Sequence, residues 1–139
     1  MRHALSVLVF VLLACTVSFA GEHDEDVDAA VAAARSWLEL VDAGDYAASW
    51  QLAAEYFKQA VTEEQWQQAM QAVREPLGEV VSREVSTTTY TTELPAAPDG
   101  EYVVIQLDTT FANKRDAVET VTPMKQDDGT WRVSGYFIK

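Results

Sequence analysis

From Val27 to Lys139 the chain contains no histidine and no cysteine. The two histidines are His3 and His23, and the one cysteine is Cys15. That absence excludes a cysteine nucleophile, a Ser-His-Asp triad and a zinc site of imidazole or thiolate from this stretch. One cysteine cannot form a disulfide within one chain. Basic residues are scarce too: ten Lys and Arg stand against 22 Asp and Glu, a formal charge of −12. Such a chain repels phosphate backbones and anionic headgroups, so nucleic acid is not an expected partner. A glycine-rich phosphate loop is missing, and no cofactor is expected.

What is present begins with a leader. Arg2 gives a positive start, and Ala4 to Ala14 is an apolar run of eleven residues, too short to span a bilayer. Ser18-Phe19-Ala20 has the small-x-small form of a signal-peptidase site. Residues 1–20 therefore read as a cleaved signal peptide, which places the protein in the periplasm or outside the cell. A competing reading makes Leu12-Leu13-Ala14-Cys15 a lipobox, with membrane attachment through a lipidated Cys15. Cleavage after Ala20 removes Arg2 and leaves nine Lys and Arg against 22 Asp and Glu, a charge of −13.

Residues 21–26 (GEHDED) read as an acidic tail with nothing to bury. A single domain over 27–139 follows. Val27, Ala30, Val31, Ala34, Trp37, Leu38 and Val41 recur at helical steps, which predicts a helix to Ala43. Gly44 suits the position past its end, and Asp45 caps a second helix carrying Tyr46, Trp50, Ala53, Ala54 and Phe57 on one face. Thr62 and Gln65 form a capping box, with Val61 and Trp66 spaced as its staple, and open a third helix from Glu63 to Arg74. Trp66, Met70 and Val73 make its packing stripe. Pro76 and Gly78 stop it.

Beyond Gly78 the period changes to two. Strands are predicted over 79–93, 102–112, 117–125 and 130–139, with turns at 94–100, at Asn113 to Asp116 and at Asp128-Gly129. Centring one turn on Lys114-Arg115 sets Leu107 opposite Thr122. Centring the other on Asp128-Gly129 sets Met124 opposite Val133 and Thr120 opposite Phe137. One face then carries Val103, Ile105, Leu107, Phe111, Val118, Met124, Val133 and Phe137; the other carries Asp108, Glu119, Lys125, Arg132 and Tyr136. The expected fold is α+β: three N-terminal helices on one face of a curved four-stranded antiparallel sheet. Val104, Val121, Tyr136 and Ile138 on the outer face form an apolar patch, through which a weak homodimer or a partner is expected.

The run WLELVDAGDYAASW, then EQW, REPLG, SRE, PDGEYVVIQLDTTFANK, ETVTP and DGTWRVSGYFI, resembles the bacterial domain of unknown function 4019 family. The resemblance covers about Ala34 to Lys139. It implies an exported bacterial protein with no established activity. The order of elements is similar to the cone-shaped nuclear transport factor 2-like and cystatin-like folds, which often hold a cavity between helices and sheet. Trp37, Trp50, Tyr56, Trp66, Tyr90 and Phe137 are the aromatic candidates to line it, though the same residues equally make a core. Arg83 and Arg74 would bind a ligand carboxylate or pair with the local acids Glu84 and Glu75. Asp108 and Glu119 would serve as acid or base only if buried. His23 becomes a metal ligand if cleavage after Ala20 frees the terminus of Gly21-Glu22-His23. The expected function is an exported, non-catalytic domain that binds a small molecule or a protein. The alternative is a small isomerase or hydratase that uses a buried carboxylate.

Overall fold

The computed structural model describes residues 21–139. Residues 1–20, where a leader is expected, lie outside the described residues, and Cys15 with them. Four helices precede four strands: α1 (Asp24–Asp42), α2 (Tyr46–Gln51), α3 (Glu55–Ala60) and α4 (Glu63–Val73), then β1 (Val80–Thr91), β2 (Tyr102–Phe111), β3 (Lys114–Lys125) and β4 (Trp131–Ile138). A 3-10 turn at Glu75–Leu77 joins the two halves. The sheet is open and antiparallel, in the order β1-β2-β3-β4.

Helix α1 buries Ala30, Ala34, Trp37, Leu38 and Val41, the stripe that its spacing predicts. It starts at Asp24, inside the expected acidic tail. Asp24, Glu25 and Asp26 form its first turn, where carboxylates meet the positive end of the helix dipole. Lys125 Nζ holds Asp26 at 3.0 Å, and the His23 ring stacks on Tyr90 at 3.7 Å. The segment is thus docked, not trailing. Gly44 at φ +76° closes α1: its N–H donates to Val41 and that of Asp45 to Leu40, the paired bonds of a Schellman end.

The expected second helix is two helices. It breaks at Leu52 to Ala54 because the Ala54 N–H turns out and donates to the Val133 carbonyl on the β4 edge, 2.8 Å away. Ala53 and Ala54 are fully buried there, and only small side chains let the two backbones approach so closely. The capping box of α4 forms as expected, Gln65 N to Thr62 Oγ1 at 3.2 Å and Thr62 N to Gln65 Oε1 at 3.0 Å. Trp66 and Met70 are buried, but Val73 is 49% exposed and leaves the predicted stripe.

The sheet corrects the expected register at one hairpin. The β2–β3 turn is Ala112-Asn113, with Phe111 opposite Lys114, so Leu107 faces Glu119 and not Thr122. A shift of three residues is odd, and an odd shift turns every following side chain to the other face. Glu119, Val121 and Tyr136 therefore point toward the helices, and Phe137 points away at 51% exposure. The expected outer patch thereby loses Val121, Tyr136 and Ile138, which pairs with Glu119, and keeps only Val104. Neither Ala112 nor Asn113 has positive φ, so the turn lacks the chemistry of a two-residue hairpin. It is held from outside: Ala112 N donates to Glu79, Asn113 N to Leu77 and Asn113 Nδ2 to Pro76. The β3–β4 hairpin keeps Thr120 opposite Phe137, as predicted. A bulge then sets Pro123, and not the expected Met124, opposite Val133, so Val133 and Tyr136 both face inward.

Candidate functional site

The space between helices and sheet is filled by two kinds of packing. On one side Trp37, Phe57, Trp66 and Tyr136 touch ring to ring, with Trp66 edge-on to Phe57 at 5.1 Å and Trp37 edge-on to Tyr136 at 5.3 Å. Their polar atoms are satisfied inside. Trp37 Nε1 donates to the Ser49 carbonyl at 2.8 Å, and Trp66 Nε1 to the Ser49 hydroxyl at 2.9 Å.

On the other side lies an ionic network. Asp42 comes from the end of α1, Arg74 from the end of α4, Arg83 from β1 and Glu119 from β3. Arg83 grips both acids. Its Nη1 and Nη2 donate to Asp42 at 2.7 and 2.9 Å, and its Nε and Nη2 to Glu119 at 2.6 and 3.1 Å. Thr109 Oγ1 adds a bond to Glu119 at 2.6 Å, and the Tyr136 hydroxyl donates to the other oxygen. Glu119 is fully buried, and four donors use about all the lone pairs that a carboxylate offers. Burial pushes the Tyr136 phenol well above its ordinary pKa, and the facing Glu119 pushes it further, so the hydroxyl stays a donor. Arg74 donates to Asp42 at 3.2 Å and to the Gly78 carbonyl at 2.6 Å, and lies 4.5 Å over the Phe111 ring. Its Nε is buried without a protein partner. Two cations meet two anions: Glu119 and Arg74 are buried, Arg83 is half-buried, and Asp42 is the exposed end of the network.

Each predicted site residue can now be placed. Trp37 and Trp66 are core members. Trp50 is half-buried, its Nε1 bonded to the Val61 carbonyl at 2.7 Å. Tyr56 bonds the Ala96 carbonyl at 2.9 Å and pins the β1–β2 loop. Tyr90 bonds Glu101 at 2.8 Å, which pushes its phenol up to about 12, and carries the His23 ring. Phe137 is on the opposite face of the sheet. Neither of the grooves described below is lined by these six together with Arg83. Arg83 and Arg74 pair with Asp42 and Glu119, not with Glu84 and Glu75. Asp108 is exposed, as expected; Glu119 is not, which overturns its predicted place. Asp42 and Tyr136 are the members that sequence reasoning missed.

Open grooves surround this filled interior. One of 250 Å³ lies between α1 and β4, lined by Ala33, Trp37, Leu40, Leu52, Trp131 and Val133 with Ser36, Thr130 and Arg132. Another of 250 Å³ reaches the Asp42 and Arg74 end of the network past Gly44, Tyr46 and Glu79. Among the described residues no group of three His, Cys, Asp or Glu side chains is placed to hold a metal, and no helix is long and apolar enough to cross a membrane. No curated protein matches the chain. The family model described as "Protein of unknown function (DUF4019)" matches residues 33–136, most of the chain, and the protein belongs to that family.

Proposed function

We infer that this is an exported, non-catalytic domain that binds a partner through the groove between α1 and β4. The observation that carries this is the filled interior. The position where a cone-shaped enzyme would keep its substrate holds Trp37, Trp66, Tyr136 and a Glu119 saturated by four donors. The α1–β4 groove, by contrast, is open and apolar, and Leu52 at its rim is 55% exposed. Its 250 Å³ falls below the roughly 300–1,000 Å³ of pockets that enclose drug-sized ligands. It suits one large apolar side chain of a protein partner, or a molecule of that size. Export rests on the leader pattern of residues 1–20.

The alternative, an isomerase or hydratase, draws on one feature: a desolvated carboxylate facing a tyrosine, as acid–base sites are built. It would require Glu119 to release a donor and a path to open beside it.

The test uses isotope-labelled protein titrated with N-acetyltryptophanamide and N-acetylleucinamide as side-chain probes. Amide shifts at Leu40, Leu52 and residues 130–133, lost in Leu52→Asp, support the groove. Shifts centred on Thr109, Glu119 and Tyr136 would favour the enzyme. Shifts at neither place overturn the binding reading.

A further inference from the structure

Gly21, Glu22 and His23 lie immediately ahead of α1, whose first helical residue is Asp24. We propose that the mature N-terminus is a binding site for one Cu(II) or Ni(II) ion. The proposal rests on the export reading, because cleavage after Ala20 is what makes the Gly21 nitrogen a free amine. Four nitrogens then serve as ligands: that amine, the amides of Glu22 and His23, and Nδ1 of His23. Consecutive main-chain nitrogens with an imidazole at the third residue close three fused chelate rings in one plane. Square-planar nitrogen ligation is the preference of these two metals.

The fold leaves three of those atoms without a hydrogen bond among the described residues, and the fourth, the Gly21 nitrogen, is engaged only by the exposed Asp24 side chain. The amides of Glu22 and His23 donate to no acceptor among the described residues, so losing their protons breaks no hydrogen bond of the fold. The helix uses the Gly21 and His23 carbonyls, which accept from Asp24 N at 3.1 Å and Val27 N at 2.9 Å, and neither carbonyl is a ligand. The His23 side chain is 41% exposed. Its ring lies flat on Tyr90, interplanar angle 7°, and a stack covers the face of an imidazole while its lone pair points out in the ring plane. Nδ1 is 3.8 Å from Asp26 Oδ2, and the Gly21 nitrogen donates to Asp24, so two carboxylates flank the position of the cation. Glu22 at the second position supplies an amide N–H, which a proline would lack. Binding releases the two amide protons together with any carried by the amine and imidazole. The site therefore fills as pH rises and empties on acidification.

The full chain is expressed with its leader, recovered from the periplasm and weighed to read its first residue, then titrated with copper sulfate alone. The expected result is a Gly21 terminus that takes one equivalent of Cu(II), with the visible band of a square-planar four-nitrogen site. His23→Ala and Glu22→Pro should each abolish that band. A Gly21 terminus without the band, or with a band indifferent to both variants, overturns the metal site and leaves export standing. A terminus at Cys15 overturns cleavage after Ala20 while leaving export standing, an uncut Met1 terminus overturns export itself, and either removes the site from the natural protein. Protein cut to begin at Gly21 then separates the two failures, since it still reports whether the tripeptide chelates.

Discussion

The two halves of the interior fill adjacent space by opposite means. Around Trp66 the contacts are rings against rings, and the polar atoms that enter, the two indole N–H groups, both end on Ser49. Around Glu119 the contacts are hydrogen bonds to a charge, two from the Arg83 guanidinium and one each from the Thr109 and Tyr136 hydroxyls. Tyr136 belongs to both: its ring is edge-on to Trp37 and Trp66, and its hydroxyl donates to Glu119. Apolar packing stabilises in proportion to the area buried and tolerates imperfect fit. A buried ion network is satisfied by every member or becomes a liability, because an unpaired charge costs several kcal/mol. The aromatic half accordingly supplies net stability. The ionic half fixes where α1, α4, β1 and β3 meet.

The largest loss should come from the aromatic half. Trp66→Ala removes a buried indole and leaves the Ser49 hydroxyl without its donor; we expect about 3–5 kcal/mol in urea melts. A loss under about 1 kcal/mol would place Trp66 at the surface. In the ionic half, Glu119→Leu alone should cost about 3 kcal/mol, because Arg83 keeps only one of its two acids. The double change Arg83→Met with Glu119→Leu should recover much of that loss, since Asp42 retains Arg74. If the double variant loses as much as the two single losses combined, the network contributes net stability and the contrast drawn between the halves fails.

Tyr136→Phe cuts the link and nothing else. A hydrogen bond to a charged group is worth about 1.5–3 kcal/mol, and we expect the lower end because Glu119 keeps three donors. The loss should depend on pH. The folded phenol is held above its ordinary pKa, so its contribution is complete below about pH 10, where the unfolded tyrosine titrates. Above that pH the unfolded state gives up its proton first, and the contribution fades. The gap between wild type and Tyr136→Phe should then narrow by up to about 1.4 kcal/mol per pH unit. A gap constant from pH 8 to pH 11 would mean that the hydroxyl is not buried against Glu119.

Much of this was legible in the residues. The α1 stripe, the Thr62 capping box, the Asp45 cap and all four strands follow from local patterns, and local patterns carry their own physics. The α2–α3 break did not show, because its cause is an amide of Ala54 taken by Val133, 79 residues away. The ionic network did not show either. Arg74 and Arg83 have acids beside them in sequence, and only the fold brings Asp42 and Glu119 nearer. Glu119 was placed outside through one hairpin. Its turn residues, Ala112-Asn113, announce nothing, since the 76–79 segment holds the turn by three hydrogen bonds. Whether the candidate aromatics make a pocket was not legible for a general reason: aromatic residues do not advertise whether they surround a space or fill it.

The smallest effect belongs to the neighbour of Tyr136, and it tests the register on which the whole contrast rests. Phe137 points away from the helices, opposite Thr120, with Lys139 Nζ 5.6 Å from its ring. An exposed cation–π contact is worth about 0.5–1 kcal/mol, so Phe137→Ser should cost less than about 1 kcal/mol. Tyr136→Ser, one residue away, removes a ring packed on two tryptophans and a donor to a buried carboxylate, and should cost at least about 3 kcal/mol. If the β2–β3 hairpin slipped by one residue, or by three as the polar loop alone suggests, the two outcomes would exchange. Phe137 would then lie against Trp37 and Trp66, and Glu119 would stand in solvent with Arg83 unpaired on that side. A Phe137→Ser loss near 3 kcal/mol beside a mild Tyr136→Ser would therefore overturn the register, and with it the ionic half.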